Sequence, residues 1–154
     1  MAFVALTNEQ LNTEFHRAVW DGHGSDYAKI ANLLEAGADV NSYAPDNVPA
    51  ANYQTALAQA ILSNNFGLAV FLIDAGADVN QLTRQSGWFP LHCAITRWNL
   101  PMASMLLAHG ADPHQRHQSH ALVCQEETPL EFAVRLNTDF LGRHNDMVQV
   151  LSNA

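Results

Sequence analysis

One phrase recurs three times along the chain. Leu-Leu-Glu-Ala-Gly-Ala-Asp-Val-Asn occupies residues 33–41, Phe71 to Asn80 reads FLIDAGADVN, and Leu106 to His114 reads LLAHGADPH. A helical apolar pair followed by Gly-Ala-Asp, returning along 154 residues, restricts the chain to an array of like units. One such unit cannot bury its apolar face alone. Neighbours bury it between them and leave an outer surface for binding. Equivalent glycines lie 39 residues apart from Gly37 to Gly76 and 34 apart from Gly76 to Gly110. A second landmark, Thr55 to Ala60 (TALAQA) and Phe89 to Ala94 (FPLHCA), begins 21 residues before its glycine in both cases. It returns as Thr13 to Ala18 and as Thr128 to Ala133.

Each landmark residue has a physical reason. A leading Thr offers its side-chain oxygen to the orphan amides of a helix start, and Pro next to it has the fixed φ of a first helical residue. Thr128-Pro-Leu-Glu131 reads as a capping box. The Ala six residues in is small enough for neighbouring helices to approach. The Leu pairs supply a stripe at i, i+3, i+4 spacing. Gly37, Gly76 and Gly110 are expected to end second helices in the left-handed conformation.

In this register the chain resembles the ankyrin family, whose units run Thr-Pro-Leu-His-x-Ala-Ala, a second helix, then Leu-Leu-x-x-Gly-Ala-Asp-Val-Asn. The resemblance implies an all-α solenoid of stacked helix-turn-helix units with short hairpin-like fingers. Four repeats are expected, at about 9–42, 43–80, 81–114 and 115–154, in a single domain over 1–154. It further implies structural hydrogen bonds for His16 and His92, and finger-closing turns for Asn41 and Asn80. In animal cells that Asn position can be hydroxylated by a 2-oxoglutarate-dependent enzyme.

Departures from the pattern are informative. Thr13 to Gly37 spans 24 residues rather than 21, which lengthens the first inter-helix turn near residues 23–25. Phe89 stands where a capping Thr belongs, and Trp98 where the inter-helix turn normally has Gly. The last unit carries extra residues at 137–144, lacks the Gly-Ala-Asp ending, and reads as a C-terminal cap. Two long fingers, Ser42 to Gln54 and Gln115 to Glu127, are natural places for binding residues.

Composition narrows the partner. Fifteen acidic against seven basic residues give a net charge of −8, which repels phosphate backbones and argues against nucleic acid. Two cysteines make no disulfide framework; Cys93 is expected as an apolar helix filler and Cys124 in a loop. No apolar run is long enough to span a bilayer, and the N-terminus lacks the basic start of a secretory signal. The expected setting is the cytoplasm, or a host cytosol if the chain is a delivered bacterial effector, and the expected free state is a monomer.

His114, His117 and His120 at spacing three, followed by Cys124, could meet a zinc or copper ion on one side of a turn. The spacing matches no paired zinc-ligand pattern, and a polar loop that uses His for solvation is the plainer account. No cofactor is expected. Nothing resembles a nucleophile elbow, a Walker loop, a zincin helix or a dinucleotide fingerprint. Glu126 and Glu127 read as a solvated helix start.

What remains is surface. The resemblance places partner contacts at finger tips and on the exposed side of each first helix. On this chain those positions bring forward Trp20, Tyr43, Tyr53, Arg84, Trp88, Arg97, Trp98 and Arg135. Aromatic and Arg side chains dominate interface energies. The expected function is therefore non-enzymatic protein–protein recognition. Two other readings stay open: a dedicated inhibitor or immunity-type protein that covers an enzyme or toxin, and a metal-responsive module built on the His-rich finger.

Overall fold

The computed structural model describes residues 6–21, 26–45, 54–84, 87–116, 127–139 and 145–154. The chain forms two compact units, Met1–Ala77 and Asp78–Ala154. In the first, α1 (Asn8–Asp21) and α2 (Tyr27–Glu35) make one hairpin, and α3 (Ala56–Leu62) and α4 (Phe66–Asp74) the next. Helix α1 packs on both α2 and α3, and α3 on α4. In the second unit α5 (Pro90–Thr96) pairs with α6 (Leu100–Ala108), and α7 (Pro129–Asp139) with α8 (Asn145–Ser152). There α5 also packs on α7, and α6 on α8. Serial hairpins leaning on their neighbours are what the repeated phrase requires.

The periodic residues fill the interior. Phe15, Ile30, Leu57, Ile61, Leu68 and Leu72 are fully buried in the first unit; Leu91, Ile95, Met102, Leu106 and Leu151 are in the second. Each contributes about 1.5–3 kcal/mol relative to exposure. Ala56, Ala58 and Ala60 present no measurable surface, so small side chains let neighbours approach α3 from more than one side. Cys93 is likewise buried inside α5.

Capping sets where the helices start. Thr55 Oγ1 accepts from the Ala58 amide at 3.2 Å. Thr128 Oγ1 accepts from the Glu131 amide at 3.1 Å while Glu131 Oε2 accepts from the Thr128 amide at 2.9 Å, the reciprocal box expected from sequence. Thr13 behaves differently. It lies inside α1, with its hydroxyl donating to the Glu9 carbonyl at 2.8 Å. The helix opens a turn and a half earlier on a second reciprocal box, Thr7 with Gln10 at 3.3 and 2.9 Å. At Phe89, where no side-chain oxygen exists, His92 Nδ1 accepts the Phe89 amide at 3.2 Å, so half of a box survives. The second helices share one device: Asp26, Asn65 and Asn99 each accept, at 3.0 Å, the amide three residues on.

Gly37, Gly76 and Gly110 have φ of +106°, +94° and +89°. A Cβ built on any of them would meet nothing within 4 Å, so backbone conformation alone demands glycine. Around each, the glycine amide bonds three residues back and the following Ala amide five back, closing a Schellman motif. The Asp that follows accepts the amide two residues on: Asp39 from Asn41 at 2.9 Å, Asp78 from Asn80 at 2.8 Å, and Asp112 from His114 at 2.8 Å. The finger Asn then reaches onward. Asn41 Nδ2 donates to the Gly76 carbonyl at 3.2 Å, and Asn80 Nδ2 to that of Gly110 at 3.0 Å. Asn80 Oδ1 also accepts the Asp112 amide at 3.0 Å. At the start of the array Asn12, a residue of α1, accepts the Asp39 amide at 2.8 Å. It gives Asp39 the contact that Asn80 gives Asp112.

Candidate interaction surface

Finger bases position the aromatic candidates. In the first unit Tyr43 pairs with Thr55 in an isolated antiparallel bridge, and the Ala44 amide donates to the Gln54 carbonyl at 3.0 Å. In the second, the Thr83 amide donates to the Trp88 carbonyl at 2.9 Å and the Trp88 amide to Thr83 Oγ1 at 3.1 Å. Thr83 is buried, so Trp88 hangs from a fixed backbone clamp. Gln54, Trp88 and Glu127 occupy the same place in their repeats, immediately before the first-helix landmark.

Trp20 is half-buried and lines a notch in the first unit with His16, Val19, Ala44, Gln54, Thr55 and Gln59. The enclosed void is about 10 Å³, roughly one water in size. Gln54 Oε1 is buried there without a hydrogen-bond partner. His16 Nε2 stands 3.2 Å from the Ser42 carbonyl and 3.1 Å from Ser42 Oγ. Ser42 Oγ donates to the Asp39 carbonyl at 2.6 Å, so the shared proton sits on Nε2 of a neutral imidazole. Burial is the largest influence on this ring and pushes its pKa from 6.5 down to about 4, against the Ser42 carbonyl and the Asp39 charge, which raise it. His16 is a structural bridge between α1 and the next finger, as the resemblance implies. His92, bonded to its own helix start, is structural too.

In the second unit rings gather along the seam of α5 and α7. Trp88 packs on Phe132 with centroids 5.9 Å apart, and His92 meets the same Phe132 ring at 5.4 Å. The indole is half-buried, and its Nε1–H is enclosed without an acceptor. The Arg135 guanidinium stacks over Phe132 at 5.2 Å from the centroid. Arg135 Nε also donates to both oxygens of Glu127, at 2.9 and 3.1 Å. The Glu127 side chain is only 20% exposed, which corrects its reading as a solvated helix start: the carboxylate precedes α7 and lies covered against it. Glu131, by contrast, stays exposed. Its pKa is lowered chiefly by the Thr128 amide and then by Arg116, with which it pairs.

The structure thus brings Trp88 and Arg135 together through Phe132, a contact residue that the repeat pattern did not single out. Arg97 and Trp98 lie at the other end of α5, about 10 Å of helix away. Arg97 is exposed; Trp98 is half-buried with φ +50°, in the left-handed turn position that Asn64 takes in the first unit at φ +58°. Arg84 is exposed in the finger turn. Tyr53 lies outside the described residues, as do His117, His120 and Cys124 of the metal candidates. His114 is exposed, and among the described residues no three His, Cys, Asp or Glu side chains stand close enough to hold a metal. Among the same residues no helix is long and apolar enough to cross a membrane.

With this geometry in view, comparison with known families gives a direct answer. The family described as ankyrin repeats (3 copies) matches residues 15–117 and 57–154. The chain belongs to the ankyrin repeat family. Among curated relatives it is similar to palmitoyltransferase ZDHHC13 of Homo sapiens, 38% identical over 87 residues, which is 56% of this chain and 13% of that protein. Palmitoyltransferase ZDHHC17 of Rattus norvegicus is 36% identical over 87 residues, again 56% of this chain and 13% of the relative. The 2-5A-dependent ribonuclease of Mus musculus is 42% identical over 50 residues, 32% of this chain and 7% of the ribonuclease. The chain therefore spans about an eighth or less of these relatives, and the activities in their names are said of those whole proteins. Ankyrin repeats are protein-interaction modules and are generally not catalytic.

Proposed function

We propose that the chain works as a non-catalytic recognition module and that a protein partner docks on the finger-base surface of the second unit, centred on Trp88. The supporting observation is the pre-organised indole. Its backbone is clamped by Thr83 and its ring rests on Phe132 at 5.9 Å, so docking orders little that is not already ordered. Exposed Arg84 stands in the same finger and adds a cation of the type enriched at interfaces. A non-catalytic role is supported by the two buried imidazoles, both committed to hydrogen bonds that hold the fold. We place the protein in the cytoplasm, as a monomer that waits for its partner.

The test is capture of the partner from the native cell by the wild-type chain, then its affinity for two variants. Trp88→Ala is expected to weaken binding about 30-fold, corresponding to ~2 kcal/mol for an aromatic anchor. Arg84→Ala, at an exposed finger residue, is expected to cost a few-fold, and the melting temperatures of both variants report whether they are folded. A partner that binds wild type and both variants equally removes the site from this surface.

A further inference from the structure

We propose that Glu127 and Phe132 form a receptor for an arginine side chain of the partner, and that Arg135 is an internal stand-in that fills it when the protein is alone. The inference rests on the docking surface just described and names the chemistry that one part of it takes. Three observations carry it. The Glu127 carboxylate is the covered member of its pair, 20% exposed, while the Arg135 side chain is 48% exposed. A covered anion held by a more exposed cation can exchange that cation without uncovering itself. The pairing is also bifurcated. Arg135 straddles both oxygens with a single Nε–H, at 2.9 and 3.1 Å, where a guanidinium can give a carboxylate two parallel N–H bonds. Among the described residues no other donor reaches Glu127.

The third observation is that the site already holds the group proposed. The Phe132 ring takes a guanidinium over its face at 5.2 Å, so plane stacking and carboxylate pairing are both in place for a planar cation. Net charge agrees in sign: residues 78–154, which hold the site, carry seven acidic against five basic side chains, and the whole chain is at −8. Arginine fits better than lysine because an ammonium cannot stack its plane or fork onto two oxygens.

The probe is the tripeptide acetyl-Ala-Arg-Ala-amide, titrated into the 15N-labelled full chain, with Lys and norleucine peptides as counterparts. Saturable shifts are expected at the amides of Thr128, Phe132 and Arg135 with the Arg peptide, weaker ones with Lys, and none with norleucine. Arg135→Ala is the decisive variant. Removing the internal competitor is expected to tighten the Arg peptide about two- to fivefold, the factor an exposed ion pair contributes. Glu127→Gln is expected to weaken it at least about fivefold, with the melting temperature recorded to show that the variant is folded. Equal shifts with norleucine, or no saturation, overturn the proposal. Weaker binding by Arg135→Ala overturns it as well, since Arg135 would then support the site for the peptide rather than compete for it. None of these failures bears on the Trp88 experiment, which reads a different residue against the native partner.

Discussion

In the first unit the seam between α1 and α3 is lined by His16, Gln54 and Gln59; in the second the seam between α5 and α7 holds Trp88, His92 and Phe132. The hairpins are the same, and so are the glycine and asparagine staples. What differs is how the seam is filled. Amide and imidazole groups need partners: His16 has Ser42, and Gln54 Oε1 has none. Rings need only contact, and the second seam makes it at the cost of a single enclosed indole N–H. Charge divides the same way. Residues 1–77 hold eight acidic against two basic side chains, and residues 78–154 seven against five. One repeat scaffold therefore supports an acidic, hydrogen-bonded unit and an aromatic unit carrying most of the arginines. In the second, a guanidinium lies over a ring, Arg135 on Phe132.

Acid should expose this difference most strongly. His16 is neutral when folded, with a pKa near 4, and titrates near 6.5 when unfolded. Above pH 6.5 both states are neutral and its contribution is complete. As pH falls from 6.5 toward 4 the unfolded chain takes up the proton and the folded chain does not, so stability is lost over that window. The drop from 6.5 to about 4 corresponds to about 3 kcal/mol. Hydrogen exchange followed from pH 7 to 4 should show α1 and α3 losing protection over that window. A His16→Gln variant, weaker at neutral pH, should show a much flatter profile. An unchanged profile in the variant would remove His16 as the source of the acid sensitivity.

The two left-handed turns allow a smaller and reversible test. Asn64 and Trp98 both have positive φ, at +58° and +50°, yet only Asn adopts that region with little strain. Trp98→Asn is expected to stabilise the second unit by about 1 kcal/mol, read as a higher urea midpoint at unchanged slope. Asn64→Trp should cost the first unit about as much. Loss of stability in Trp98→Asn would mean that the half-buried ring contributes more packing than its backbone costs, and would move Trp98 from contact residue to core.

These contrasts mark what sequence can and cannot carry. The glycines, the Gly-Ala-Asp turns and the Thr55 and Thr128 caps are local: each is fixed by residues within five positions, so pattern alone places them. Trp98 as an occupant of a glycine position was legible for the same reason. The start of α1 was missed although Thr7 and Gln10 have the spacing of a capping box, because the repeat register drew the boundary at Thr13. Phe132 was missed for a deeper reason. It aligns with Arg17, Gln59 and Cys93, so the repeat marks its position as variable. Only packing of α5 on α7 turns it into the floor beneath Trp88 and Arg135. Partnership across a seam depends on two helices at once, and no single-helix pattern records it.

The finest test concerns the orphaned atoms themselves. Gln54 Oε1 and Trp88 Nε1 stand at equivalent places in their repeats, each enclosed and unpaired. Gln54→Met keeps the length of the side chain and removes the acceptor. A buried group without a partner carries a desolvation cost of ~1 kcal/mol or more, part of which returns when the group is deleted. Thermal melts should therefore show Gln54→Met more stable than wild type by about 0.5 kcal/mol, provided the void of about 10 Å³ beside it is dry. A loss of similar size would mean that a water occupies the void and bridges Oε1, which makes the first seam fully hydrogen-bonded. Of the two equivalent atoms the enclosed indole N–H would then be the one still unmet, and the case for Trp88 as the residue kept for contact rather than for stability would sharpen.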